Sequence, residues 1–203
     1  MKANVQNAEN ATNGAIGKGL KFSRIRRITG YLVGDISKWN TENVEDTSEM
    51  FEDTIRFNSD ISGWNVSNVI SMRRMFLNAK CFDRNLNKWN VSNVEDMGYT
   101  FCNASEFNSP LDNWNTSNVR DTQGMFLGCT SFNQDLSSWD VSKVKDTSGM
   151  FYSAKSFNQN LDKWNVSNVK NMKWMFYESN FNKDISNWKI NKKCDTYEMF
   201  DEC

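Results

Sequence analysis

Histidine is absent from this 203-residue chain. Its absence excludes the Ser-His-Asp and Cys-His nucleophile pairs and every metal site built on imidazole. Proline occurs once, at Pro110. No run reaches the ~18 apolar residues that a bilayer-spanning helix needs. The first 20 residues, MKANVQNAENATNGAIGKGL, lack the apolar centre of a secretory signal and contain no cysteine for lipid attachment. They read as a polar N-terminal arm, and the chain as one that stays inside the cell or as a processed fragment. An excess of charge of either sign is also missing, since 24 Lys and Arg face 25 Asp and Glu. The bulk field therefore gives no reason to expect nucleic acid or an anionic membrane as a partner.

What is present is a core written periodically. Hydrophobic residues make up 38% and aromatics 13% of the chain, enough to bury a substantial interior. Trp39, Trp64, Trp89, Trp114, Trp139, Trp164 and Trp188 follow one another at 25 residues five times and then at 24, one residue being missing in ESNFNKDIS. With each Trp as position zero, −3 is Ile or Leu from Ile36 to Ile185, +2 is Val, Thr or Ile, and +5 is Val in six units, Val44 to Val169. Positions +11 and +12 are Met-Phe in six units and Thr100-Phe101 in the remaining one. A small residue at +15 (Ala79, Ala104, Cys129, Ala154, Ser179) and Phe at +18 (Phe57 to Phe157) complete the unit. Such a fixed period marks a repeat architecture: one unit cannot bury its own apolar face, and its neighbours supply the wall.

The −3, 0, +2 positions read L-x-x-W-x-V, the spacing by which a leucine-rich repeat lays a short strand along its inner edge. At the ~4.8 Å of paired strands, seven coils stack to ~34 Å. Residues 21–38, with Ile25 and Leu32 at +11 and +18 of a degenerate preceding coil, read as an N-terminal cap, and 39–203 as the seven-coil body. The wording FNQDLSSWDVSKVKDTSGMF (132–151) resembles the 25-residue repeat of BspA-like leucine-rich-repeat surface proteins, and the likeness extends over about residues 32–203. The resemblance implies a right-handed solenoid with one short parallel strand per coil, no enzymatic activity, no cofactor and no catalytic residues. It further implies adhesion or protein binding at a bacterial cell surface or outside the cell.

Several columns are candidate sites. Position +7 (Asp46, Ser71, Asp96, Asp121, Asp146, Asn171, Asp195) stacks three carboxylates in a row. Such a row either attracts a hard cation such as calcium or consists of turn residues that each bind a backbone N–H of their own coil. The interchange with Asn and Ser favours the second, with Arg120, Lys145 and Lys170 at +6 as screening charges, and no metal is expected. The Asn columns at +1 and +19 suggest amide ladders along the stack. Sequons such as Asn65 and Asn90 follow from the repeat wording itself, and the cluster Arg24, Arg26, Arg27 reads as solvation of the cap. The five cysteines show no CxxC spacing, which argues against a zinc site or a disulfide framework. Cys129 and Cys203 take the small-residue position and are expected to be buried.

For a partner, the Trp strand offers mostly Lys, Ser, Asn and Gly outward, without aromatic or Arg anchors. The better stripe is at +10 and +13: Leu77, Tyr99, Leu127, Tyr152, Trp174 and Tyr177. A second candidate contact is the C-terminal end, where Met199 and Phe200 belong to a coil that stops short of its +18 Phe. Two functions follow: a non-enzymatic scaffold that binds other proteins, or a structural subunit of a larger assembly such as a virion or surface layer, meeting other copies of itself through that end.

Overall fold

The computed structural model describes residues 36–203. The arm at 1–20 and nearly all of the cap, including Ile25, Leu32 and the Arg24–Arg27 cluster, lie outside the described residues. The described part opens with a 3-10 turn, Ile36–Lys38, and then repeats one path seven times. Successive units lie beside one another in register. Parallel bridges join +7 to +7 all along the chain, Asp46 to Ser71, Ser71 to Asp96, and so on to Asn171 and Asp195.

The inter-coil ladder does not run through L-x-x-W-x-V. It runs through the opposite side of the unit, from +6 to +14. Between units 1 and 2 the N–H groups of Thr47, Glu49, Phe51 and Asp53 donate to the carbonyls of Ser71, Arg73, Met75 and Leu77 at 2.8–3.0 Å. The alternate N–H groups turn inward along the chain instead, Met50 to Thr47, Glu52 to Glu49 and Thr54 to Phe51, each at 3.2 Å. The N–H groups at +8, +10, +12 and +14 are thereby paired across the units and those at +11, +13 and +15 along the chain, as burial of a backbone requires. The alternation depends on left-handed backbone at two positions per unit. At +10 these are Glu49, Arg74, Tyr99, Gly124, Gly149, Trp174 and Glu198, and at +14 they run from Asp53 to Glu202, all with φ between 49° and 67°.

On the Trp side, side chains replace the ladder. Each indole from Trp64 onward donates Nε1–H to the −3 carbonyl of the preceding unit, as Trp139 does to Leu111 at 3.0 Å and Trp188 to Leu161 at 2.8 Å. Asn at +4 reaches back in the same way: Asn93 Nδ2 donates to Ser67 O at 2.7 Å and Asn118 Nδ2 to Ser92 O at 2.8 Å. The Asn at +1 serves its own turn by accepting the +3 N–H, as Asn90 does from Ser92. At +19 the carboxamide oxygen accepts a backbone N–H of the next unit, Asn133 from Asn158 at 3.0 Å, so this column is a side-chain-to-backbone ladder. Amide-to-amide contacts occur at +14, with Asn103 Nδ2 on Asn78 Oδ1 at 2.9 Å, and at one step of the +19 column, with Asn158 Nδ2 on Asn182 Oδ1 at 2.8 Å.

Between these two sides the apolar columns form one cluster. Phe101 stacks on Phe107 of its own unit at 4.0 Å and on Phe76 and Phe126 of its neighbours at 5.5 and 5.8 Å. Trp114 and Trp139 stack at 6.2 Å and 4°. Each such ring contributes about 1.5–3 kcal/mol of burial, and more through the aromatic contact. The missing residue of unit 6 falls after the ladder, so Phe181 still stacks on Phe176 at 4.0 Å.

Candidate functional site

Side chains at +9, +10 and +13 stand on the outer side of the ladder. Because the backbone pairing fixes equal positions of adjacent units side by side, a long side chain there lies across its neighbour. Arg73 at +9 extends over Gly98, with Nη1 3.5 Å from Asp96 Oδ1 and 3.4 Å from Asp121 Oδ2. Its Cζ sits 5.3 Å from the centroid of the Tyr99 ring. Tyr99 in turn covers Gly124, whose ideal Cβ would fall 2.4 Å from the ring. Tyr99 is therefore part of a polar cluster, and partial burial is the main reason its phenol titrates above the ordinary value.

The +7 column serves its own turns. Asp46, Asp96, Asp121 and Asp146 each accept the +9 N–H at 2.8 Å. Asp146 also accepts Asn171 Nδ2 at 2.9 Å. The screening cations are Arg73 and Lys173, the latter 3.0 Å from Asp195. Arg120 instead pairs with Glu95 at 3.1 Å, because a +6 side chain meets the +6 residue of the preceding unit. Burial first, then the Asp96 charge, pushes the Asp121 carboxyl up, against the backbone donor at Gln123 and Arg73.

The candidate stripe divides in two. Leu77 is half-buried, and the buried Cys102 interrupts the +13 column after it. Burial of Cys102 raises its thiol to about 11. Beyond the break, Leu127, Tyr152, Tyr177 and Trp174 come together. Tyr152 and Tyr177 stack at 4.9 Å. Leu127 and Tyr152 both stand 3.8 Å from the Cβ position of Gly149, and the Gly149 N–H bonds Lys173 O at 2.8 Å, which sets Trp174 one unit along. Trp174 is 40% exposed. Its Nε1–H donates to Glu198 Oε2 at 2.8 Å and its ring meets Tyr197 edge-on at 6.2 Å. Desolvation, followed by Glu178 and Glu202, raises the Tyr152 phenol, so it stays a neutral donor and acceptor.

Of the two end residues, Met199 is buried in the +11 column and only Phe200, 42% exposed and stacked on Phe176 at 5.4 Å, presents surface. Cys129 is fully buried, donating to Phe101 O at 2.8 Å. Cys203 makes the equivalent contact to Phe176 O at 2.6 Å yet is exposed, because no described coil covers it. Inward residues at +8, such as Met72, Met97 and Thr147, are buried as deeply as the Phe columns and were not singled out by the spacing. No helix among the described residues is long and apolar enough to cross a membrane.

Neither the curated proteins nor the solved structures contain a match. The chain belongs to the family described as "Mycoplasma protein of unknown function, DUF285", whose model matches residues 22–130 and, in a second overlapping frame, residues 99–203.

Proposed function

We propose that this repeat protein is a non-enzymatic scaffold, a right-handed leucine-rich-repeat-like solenoid displayed outside the cell, that binds another protein through Leu127, Tyr152, Trp174 and Tyr177. The observation that carries the reading is Trp174. It holds a left-handed φ of 53° in a column where Gly124 and Gly149 stand nearby. A bulky side chain in that conformation costs about 1–2 kcal/mol relative to glycine. In exchange the indole makes one hydrogen bond to Glu198 and an edge contact with Tyr197, and 40% of the residue stays exposed. Strain retained on an exposed aromatic, in a setting of Tyr, Ser and Gly, is the composition of a protein-binding surface.

Photo-crosslinking side chains placed at 152 and 177, with controls at Ser117 and Ser142 on the Trp side, test this in the source cells. One protein captured from both 152 and 177 and from neither control is the expected result. Equal capture from both sides would remove the assignment of this face.

A further inference from the structure

The +6 column is sorted by sign. From unit 1 to unit 6 it reads Glu45, Ile70, Glu95, Arg120, Lys145 and Lys170, and all six residues are exposed. The backbone holds them on one line, because each +6 N–H from Ile70 to Lys170 donates to the +6 carbonyl of the unit before it at 2.7–2.8 Å. Val at +5 is buried in all six units. At +4 the Asn side chains lie back along the stack, Asn68 Nδ2 on Glu42 O at 2.7 Å and Asn168 Nδ2 on Ser142 O at 2.8 Å. The +6 side chains are therefore the ones that stand out from this corner of the coil.

Within one chain this order of charges is unfavourable. Arg120 and Glu95 pair at 3.1 Å where the two halves of the column meet. Beyond that border like stands beside like: Lys145 has Arg120 on one side and Lys170 on the other, each one coil or ~4.8 Å away along the stack, and such neighbours repel. Among the described residues the Lys145 and Lys170 ammonium groups have no hydrogen bond or ion pair. Ile70 in the acidic half is 49% exposed. Alternating signs would neutralise the column from within, whereas the sorted column needs an opposing surface.

Turned end for end, the column is its own complement. With unit 1 set against unit 6, unit 2 against unit 5 and unit 3 against unit 4, Glu45 meets Lys170, Glu95 meets Arg120, and Ile70 meets the aliphatic stem of Lys145. At +4 the same rotation sets Lys143 against Asn68, so no like charges face each other there either. A parallel arrangement would oppose every charge with itself. An anionic polymer would match Arg120, Lys145 and Lys170 but leave the acidic half and the exposed Ile70 without a role.

We propose that this corner is a contact face for a second copy of the same chain, held antiparallel about a two-fold axis that passes between units 3 and 4. The contact is isologous, the same patch on both copies, so it closes at two chains. It runs over ~24 Å of stack and is narrow, well under the roughly 1,200 Å² of a standard interface, which makes the dimer a weak one that forms where the chain is concentrated. It uses neither Tyr152 nor Trp174 and does not rest on the partner face proposed above.

Sedimentation velocity of the 203-residue chain, from micromolar to millimolar, tests it together with two charge-reversed variants whose fold is first checked by thermal melting. The wild-type mass is expected to rise toward two chains and stop there, and association to weaken by about tenfold or more between low and high salt, since the paired charges are near solvent. R120E/K170E makes the ionic positions at 45, 95, 120 and 170 all acidic and E45K/E95K makes them all basic, so each variant alone should stay monomeric. Mixed in equal amounts they should form a 1:1 heterodimer. A wild-type chain that keeps its monomer mass at every concentration overturns the proposal, and if that chain binds inorganic polyphosphate in a way that R120E/K170E abolishes, the basic half belongs to an anionic polymer instead. Association that survives unchanged in either variant alone, or a mixture that fails to assemble, overturns it as well.

Discussion

Arg73 and Gly98 share one space: a Cβ on Gly98 would fall 2.5 Å from the Arg73 guanidinium nitrogen that lies near Asp96 and Asp121. Gly98→Ala is therefore expected to displace the guanidinium and cost about 1 kcal/mol, the scale of partly exposed ion pairs. In an Arg73→Ala background the same substitution should cost almost nothing. Denaturant unfolding of the four proteins in the cycle measures the coupling, and strict additivity would show that the two residues do not compete.

Asp121 supplies a pH dependence of known sign. Its carboxyl titrates above the ordinary value because burial and the Asp96 charge oppose ionisation. A group raised in the folded state binds its proton more tightly there than when unfolded. Its contribution is thus a penalty at neutral pH, relieved as pH falls through its folded pKa. Asp121→Asn should raise the melting temperature at pH 7, and the advantage should vanish toward the acid side of the Asp121 titration. The carboxamide oxygen still caps Gln123, as Asn171 caps Lys173. An Asn variant less stable than the parent at pH 7 would mean that the Arg73 pairing outweighs desolvation.

Trp139 separates ring burial from hydrogen bonding. Trp139→Ala should cost about 3–5 kcal/mol. Trp139→Phe keeps an aromatic in the column but strands the Leu111 carbonyl that Nε1–H serves, at about 1–3 kcal/mol. Chemical denaturation of both variants orders them; equal losses would indicate that the indole N–H carries the whole effect.

Two substitutions probe the left-handed positions, and a third at Gly63 is their control. Gly149→Ala meets no atom closer than 3.8 Å, yet φ is 58°, so the expected cost of about 1 kcal/mol is backbone strain alone. Gly63 has nothing within 4 Å of its Cβ position and no such φ, and Gly63→Ala should be neutral or stabilising by about 0.4–1 kcal/mol. Trp174→Gly should leave stability unchanged or slightly higher while abolishing the 152/177 crosslink. Loss of the fold in that variant would make Trp174 a structural residue.

The apolar columns were legible because Trp, Phe and Met recur at fixed offsets, and those offsets reappear as stacked rings and buried sulfurs. The course of the ladder was not. Apolar spacing records which side chains turn inward, and L-x-x-W-x-V does turn inward, but spacing says nothing about where backbone donors go. The signal that could have located the ladder is the +14 column. Asp53, Asn78, Asn103 and Gly128 are the residue types that tolerate positive φ, and they recur together. The +10 column hid the same information behind Arg74, Tyr99 and Trp174. Nor could spacing show that the stripe is interrupted, since Cys102 looks like any other variable residue until Leu77 and Leu127 are seen on either side of a buried thiol.

The alternation at +7 to +14 gives the molecule an electrical direction. In an ordinary strand successive peptide groups point to opposite sides and their dipoles largely cancel. Here the peptide groups joining +7 to +8, +9 to +10, +11 to +12 and +13 to +14 all point their N–H toward the next unit. Dipoles of about 3.5 D each, aligned head to tail across the units, add as they do along a helix, and the fewer N–H groups that donate to the preceding unit, such as Arg120 to Glu95 and Cys81 to Ile55, offset them only in part. Among the described units the positive end lies at unit 7. Glu198, Asp201 and Glu202 stand there as acidic residues stand at a helix N-terminus, so the acidic character of unit 7 offsets a field generated by the described coils before it.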